Sequence, residues 1–190
     1  MIAFVITGPS GSGKGTILRE LRKLEPRLRV SVSHTTRSPR PGEVNGREYH
    51  FVSRDKFISM MGDGAFLEYA TYGGNLYGTS YEAFRRALDE WGKVILEIEC
   101  EGADQVRKRF SGDATTVVTI FIRTSLEQLR ERLVKRGADS PVEIEKRLKM
   151  AVLELERQKE FDYIVDNDLN VGDAVVAVRS VIQHRAALAA

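Results

Sequence analysis

The run GPSGSGKGT, Gly8 to Thr16, limits this chain more than any other stretch. The apolar run Ile2 to Thr7 before it reads as a buried strand, and Ile17 to Leu24 after it reads as the rest of a helix. A strand, a glycine-rich turn, a lysine and a helix, in that order, make a phosphate-binding loop. Glycines let successive backbone N–H groups turn inward with no Cβ in the way. With the positive end of the helix these groups form a concave anion site, and Lys14 is expected to reach the outer phosphates. Gly8, Gly13 and Lys14 fit G-x-x-x-x-G-K. The next position, where Ser or Thr would ligate magnesium, is Gly15, with Thr16 one place later. The plain alternative is a glycine-rich surface turn with a solvated lysine. The flanking strand and helix weigh against it.

A chain of 190 residues can form one large domain, or a core with a small insertion. Its net charge of +2 gives no reason to expect general binding to nucleic acid, so its arginines matter by position. One cysteine, Cys100, excludes an internal disulfide framework and suits a reducing cytoplasm. The N-terminus has an apolar run but no basic segment before it and no cleavage site, so no signal peptide is expected. No apolar stretch approaches the roughly 18 residues of a membrane span. Strand-like runs at Ile2 to Thr7, Lys93 to Glu99, Thr116 to Ile122 and Tyr163 to Val165 lack polar alternation, as strands covered on both faces should. Helical patterns lie between them. Ser125 opens one with the capping box S-L-E-Q, and Leu126, Leu129 and Leu133 mark its buried side. Ser140 opens another, with Pro141 and Glu143 completing the signal, and a last helix runs from about Val171 to the end. Such alternation predicts an α/β fold with a parallel sheet flanked by helices.

The segment from about His34 to Tyr81 breaks that alternation. It holds short β-type pieces (Tyr49 to Val52, Phe66 to Thr71), one helix near Asp55 to Met61, and glycine turns. It reads as an inserted, mostly β lobe between a strand near Val30 to Ser33 and a helix of about Tyr81 to Trp91. An insertion after a strand's C-terminal end in a parallel sheet is expected over the ligand crevice, where it would hold a second substrate.

Within the lobe, HTTRSPRPGEVNGREYHF sets Arg37 and Arg40 among Pro39, Pro41 and Gly42. A stiff loop lowers the entropy cost of holding two guanidiniums on one anion, and arginine suits bidentate phosphate contacts. Tyr49 and Tyr77 add candidate hydroxyl donors. In FLEYA, Glu68 is one carboxylate inside an apolar run; it is either a solvent-face glutamate or a reader of a purine. Guanine offers N1–H and an N2 amino group side by side, which a carboxylate can accept. Adenine presents a lone pair there instead, so such a site would reject it. Thr79 competes between that site and a structural role, because T-S-Y-E is a capping box for the next helix. In KVILEIE, Glu97 and Glu99 are two apart, and so on one side of the strand, where they would meet hydrated magnesium or the base. Arg132 and Arg136 share a helix face, and Gly137, Ala138 and Asp139 break that helix before Arg147. Arginines around such a break read as a cover over phosphates, or else as a solvated face paired with Glu127, Glu131 and Glu143.

With these pieces in order, the chain closely resembles the guanylate kinase family, nucleoside monophosphate kinases that make GDP from GMP and ATP. GPSGSGK resembles the family's P-loop, and SVSHTTRSPRPGEVNGREYHF its longer and more specific GMP-phosphate signature. FLEYA, GNLYGTS, LRERLVKRG, EKRL and FDYIVDND resemble its later blocks in order and spacing. The resemblance implies one domain over 1–190: a P-loop core (1–33, 82–124 and 160–190), a GMP-binding lobe (34–81) and a helical lid (125–159). It implies that Gly8, Pro9, Ser10, Gly11, Ser12, Gly13, Lys14, Gly15 and Thr16 bind ATP, with Asn167 near the adenine. Ser33, Arg37, Arg40, Tyr49 and Tyr77 match GMP-binding positions, mainly for its phosphate. Glu68 and Thr79 match guanine readers, and Glu97 and Glu99 match acids near the base and the metal. Lys14, Arg37, Arg132, Arg136 and Arg147 match the catalytic cations. Thr16 and Glu97 are candidates to hold Mg2+, directly or through water. The implied partners are ATP and GMP or dGMP, with no nucleic acid polymer and no membrane. The implied setting is the cytoplasm, as a monomer or homodimer in purine nucleotide metabolism.

The chain departs from the family pattern in two places. Its P-loop ends G-K-G-T rather than G-K-S-T, which resembles adenylate kinase. The strand end carries Glu97, Glu99 and Glu101 where Asp, Asp and Gln are usual. Three other readings compete. A non-catalytic interaction module of the same fold should lack Lys14 and the distal arginines. A ribose bisphosphate kinase should lack Glu68 and Thr79, and only G-K-G-T speaks for an adenylate kinase.

Overall fold

The computed structural model describes residues 1–137 and 139–188, and of Glu90 and Trp91 the backbone alone. Ala138 in the expected helix break, and the last two residues of the expected final helix, lie outside the described residues. In chain order the elements are β1 (Ile2–Thr7), α1 (Lys14–Leu24), β2 (His34–Thr35), β3 (His50–Phe51), α2 (Arg54–Gly62), β4 (Phe66–Tyr72), β5 (Asn75–Ser80) and α3 (Tyr81–Trp91). There follow β6 (Lys93–Glu97), α4 (Cys100–Arg109), β7 (Thr116–Arg123), α5 (Leu126–Arg136), α6 (Pro141–Glu156), a 3-10 turn (Arg157–Glu160), β8 (Tyr163–Asp166) and α7 (Val171–Leu188). The class is α/β, with one sheet in the order β6-β1-β7-β8 and a second in the order β3-β2-β5-β4.

The chain divides into two compact units, one of Met1–Ala3 with Leu28–Val117, the other of Phe4–Arg27 with the chain from Val118 onward. The first holds the second sheet whole. There β2 runs parallel to β3, while β5 pairs antiparallel with both β2 and β4. Its small core stacks Phe57 of α2 on Phe66 of β4, ring centroids 4.4 Å apart, with Leu76 beside them. The outer strand β4 would leave backbone groups bare. Gln105 of α4 takes the Tyr69 N–H at 3.1 Å and donates to the Tyr69 carbonyl at 2.7 Å, as a neighbouring strand would.

In the second unit β7 and β8 pair in parallel, with Ile120 against Tyr163 through Arg123 against Asp166. Helices α5 and α6 share a core of Leu129, Leu133, Ile144, Leu148 and Ala151. The expected cap at Ser140 forms in full: its hydroxyl accepts from Glu143 N, Glu143 answers at Ser140 N, and Pro141 fills the first turn.

Four local expectations are corrected. Val30 to Ser33 is no strand; a single bridge joins Val30 to Ile95. Strand β6 stops at Glu97, and Glu99 caps α4 instead, so the two acids do not share a strand face. Leu126 opens α5 at 41% exposure, one turn outside the buried stripe. The cap of α3 is Ser80, which accepts from Ala83 N at 3.2 Å, not Thr79. That shift by one residue frees the Thr79 hydroxyl.

Candidate active site

The phosphate loop lies in the second unit. Gly8 has φ +139°, and a Cβ on it would run into the Ile122 carbonyl, so only glycine lets the loop leave β1 this close to β7. Gly13 caps α1 and has no side chain to offer the first-turn N–H groups of the helix, so the cap leaves them open to an anion. Lys14 bends back: its ammonium donates to the Gly8 carbonyl and to the Pro9 carbonyl at 3.3 Å, rather than reaching outward.

The Ser12 carbonyl gathers donors from far along the chain. It accepts from Asn167 Nδ2 at 2.6 Å, Arg132 Nη1 at 3.3 Å and the Thr124 hydroxyl at 3.4 Å. Arg132 also donates to the Asn167 and Asp168 carbonyls, at 2.5 and 3.1 Å. Arg147 Nη1 donates to Ser10 Oγ at 3.0 Å. Two of the three distal arginines therefore touch the phosphate loop itself. The third, Arg136, is held by Asp139, which accepts from Arg136 Nη2 at 2.5 Å and Arg147 Nη2 at 3.1 Å. Ser12 Oγ and Asn167 Oδ1 are buried polar atoms with no hydrogen-bond partner among the described residues. Asn167, expected near an adenine, thus also braces the loop. Thr124 and Asp139 were not among the expected site residues.

The second cluster lies wholly in the first unit. Glu68 is 2% exposed, which excludes a solvent-face role. The irregularity between Phe66 and Glu68 breaks the regular alternation of β4 just before this residue, which then pairs with Thr79. Its Oε1 accepts the Thr79 N–H at 2.7 Å, while the Thr79 and Ser33 hydroxyls meet at 2.9 Å. Burial pushes the Glu68 carboxyl up to about 7, against the hydrogen bonds from Thr79.

Nearby in the chain, Arg37 forms a two-pronged pair with Glu43, Nη1 to Oε2 at 2.7 Å and Nη2 to Oε1 at 2.9 Å. Its guanidinium lies 5.2 Å from the Tyr49 ring centre and 5.5 Å from that of Phe51. Burial opposes the charge on Glu43, yet Arg37 and the Arg40 N–H hold its carboxyl below the usual range. Tyr49 packs edge-on to Tyr77, centroids 6.0 Å apart. Burial raises the Tyr49 hydroxyl well above its ordinary value, helped by the charges of Glu97 and Glu99. It therefore stays a donor at neutral pH. Glu99 Oε2 is buried without a hydrogen-bond partner among the described residues. The structure thus brings Ser33, Glu68 and Thr79 together, and Arg37 with Tyr49 and Tyr77. Glu43 was not expected; an acid six residues from an arginine in a polar loop carries no signal that separates it from a solvated one.

A family model described as guanylate kinase matches residues 1–185. The chain belongs to the guanylate kinase family. The guanylate kinase of Thiobacillus denitrificans is 44% identical over 167 residues, 88% of this chain and 78% of that protein. The guanylate kinase of Trichormus variabilis is 47% identical over 165 residues, 86% of this chain and 81% of that one. Among solved structures, the guanylate kinase of Anaplasma phagocytophilum aligns with a TM-score of 0.77 at 26% identity, covering 97% of this chain and 85% of its own. Family membership therefore rests on both sequence and fold.

Proposed function

We propose that this protein transfers the γ-phosphoryl group of ATP to GMP, giving ADP and GDP, and accepts dGMP as well. The observation that carries the reading is Glu68, a carboxylate 2% exposed and held by the Thr79 N–H in the same unit as the Arg37 and Arg40 loop. A buried acid is costly unless a ligand or partner uses it, and guanine presents two adjacent donors to a carboxylate.

Each half has its task. Residues Gly8 to Thr16 cradle the ATP phosphates, with Asn167 beside the adenine. Lys14 exchanges the Gly8 and Pro9 carbonyls for phosphate oxygens. Arg132, Arg136 and Arg147 neutralise the negative charge spread over the transferring group, because phosphoryl transfer is mostly positioning and electrostatics. Ser33, Glu68 and Thr79 read guanine. Arg37, Arg40, Tyr49 and Tyr77 hold the GMP phosphate, and Glu97 and Glu99 stand near the base and the metal.

Magnesium takes hard oxygen ligands and keeps several of its waters. The Thr16 hydroxyl and the carboxylates of Glu97 and Glu99 are oxygen donors, and the unpartnered Oε2 of Glu99 fits a hydrated cation. With glycine at position 15, Thr16 is the loop's own candidate ligand and Glu97 a candidate in the first unit, each directly or through water. When bound, the ion supplies charge neutralisation on the phosphate oxygens.

Among the described residues no helix is long and apolar enough to cross a membrane. We place the enzyme in the cytoplasm, as a monomer or homodimer acting on free nucleotides rather than on a nucleic acid polymer. A coupled ADP-release assay with GMP, dGMP, AMP, CMP and UMP tests the reading. Turnover confined to GMP and dGMP is expected. Equal use of AMP would replace it with an adenylate kinase, and no turnover with any acceptor with an interaction module.

A further inference from the structure

The donors of Arg37 are divided in a particular way. Nη1 gives one N–H to the Ser38 carbonyl at 2.8 Å and the other to Glu43 Oε2 at 2.7 Å. Nη2 gives one to Glu43 Oε1 at 2.9 Å. Glu43 therefore occupies the outer end of the planar group, where the two terminal nitrogens point the same way. Among the described residues the Nε–H and the second Nη2–H have no hydrogen-bond partner, and together they form the side edge of the fork. Two parallel donors on one edge match two oxygens of a phosphate. The same Glu43 Oε2 accepts the Arg40 N–H at 2.7 Å, so one carboxylate ties the first arginine's side chain to the second arginine's backbone. The pair is largely withdrawn from water, with side chains 12% and 17% exposed. Water and salt therefore screen it less than a surface pair.

We propose that Glu43 is a positioning residue for the acceptor's phosphate. It takes the wrong edge of Arg37 out of use, turns the Nε–Nη2 edge to the ligand, and anchors the loop that carries Arg40. It does not stand in for the phosphate, because the edge it fills is not the one left open. This rests on the reading of the first unit as the GMP half. Glu43 touches no reacting atom, so its effect is on acceptor binding rather than on transfer. A guanidinium held in advance loses less entropy when the anion arrives.

The test is Glu43→Gln in steady-state kinetics, with guanosine as a competitive inhibitor lacking the phosphate. Gln keeps the shape but turns an amino group against one Arg37 nitrogen. The GMP KM is expected to rise roughly tenfold or more, about the worth of one charge-assisted bond. The ATP KM, the kcat and the guanosine inhibition constant are expected to stay within about twofold, and Glu43→Asp to lie between parent and Gln. An unchanged or lowered GMP KM overturns the proposal, the lowered one marking Glu43 as a competitor of the phosphate. Equal weakening of guanosine also overturns it, assigning Glu43 to folding of the lobe. Arg37→Lys separates the two levels. If it leaves the GMP KM at the parental value, the GMP reading of this half fails; if it raises the KM while Glu43→Gln does not, only the role of Glu43 fails.

Discussion

Gly102, in the first turn of α4, leaves open the space that the Glu68 carboxylate fills. A Cβ built on Gly102 would overlap Glu68 Oε2 and press on its Cδ at 3.2 Å. The glycine is required by what lies opposite it, not by its own backbone torsion. Glu68 is sealed from water, so an intruding methyl group would drive its carboxylate off the Thr79 N–H. Gly102→Ala is expected to raise the GMP KM roughly 5- to 150-fold, the equivalent of about 1–3 kcal/mol for a disturbed buried hydrogen bond. The ATP KM should not move. A parental GMP KM in the coupled assay would show that the placement of Glu68 does not govern acceptor binding.

The Glu68 carboxyl, raised to about 7 by burial, is partly protonated near neutral pH. Guanine's two donors need the carboxylate, so GMP binding should expel that proton. The GMP KM is expected to fall as pH rises through about 7 and to level off above it. Calorimetry in two buffers of different ionisation enthalpy should find a proton release in the parent that Glu68→Gln lacks. The phosphate of GMP titrates equally in both proteins, so equal release would sink the prediction.

Stability should carry two opposed pH slopes. Glu68 binds its proton more tightly folded, about 7 against 4.5, so its contribution falls as pH rises through that window. His34 is lowered from 6.5 to about 4 by burial and by His50, whose ring centre lies 4.7 Å away. It takes up its proton more readily unfolded, so its contribution grows as pH rises from about 4 to 6.5. Glu68 is worth on the order of 3 kcal/mol at full extent, and the half-buried His34 less, because solvent screens it. Between about pH 4.5 and 6.5 they offset one another. Urea unfolding of Glu68→Gln over this range should uncover the rising slope of His34; an unchanged, flat profile would contradict it.

Asp139 holds Arg136 and Arg147 with a side chain 8% exposed. Asp139→Asn should loosen both arginines, which the proposed mechanism sets against the developing charge. A fall in kcat of roughly ten- to hundredfold is expected, with the GMP KM within about twofold. A rise in GMP KM with intact kcat would remove these arginines from the transfer step. Lys14→Ala should cost kcat still more, roughly a hundredfold or beyond.

Gly15 lies exposed in the first turn of α1, where a hydroxyl would ordinarily meet the metal. Gly15→Ser is expected to lower the Mg2+ concentration giving half-maximal activity. An unaltered Mg2+ requirement would mean that Thr16 already supplies that oxygen.

Local signals were legible where neighbours in sequence decide the structure. Ile2 to Thr7, the Ser140 cap and the helix from Tyr81 to Trp91 follow from apolar runs and short-range hydrogen bonds, and all formed as expected. The choice between Thr79 and Ser80 as a cap was not legible, because both hydroxyls precede the helix and only Ser33 and Glu68, brought by the sheet, claim Thr79. Gly102 looks like any helical glycine until β4 lies across it. Asp139 looks like part of a helix break until Arg147 returns along α6 to meet it. Strand β6 ends before Glu99 because α4 begins there, a boundary that the apolar run Lys93 to Glu99 does not mark.

The Ser12 carbonyl has a consequence for the order in which the protein is made. Its donors Arg132 and Asn167 stand 120 and 155 residues further along the chain. A nascent chain displays the whole phosphate-loop sequence early, yet the carbonyl at its centre has its full set of donors only once Asn167 has left the ribosome. A product truncated before Asn167 would carry the whole motif without the complete brace.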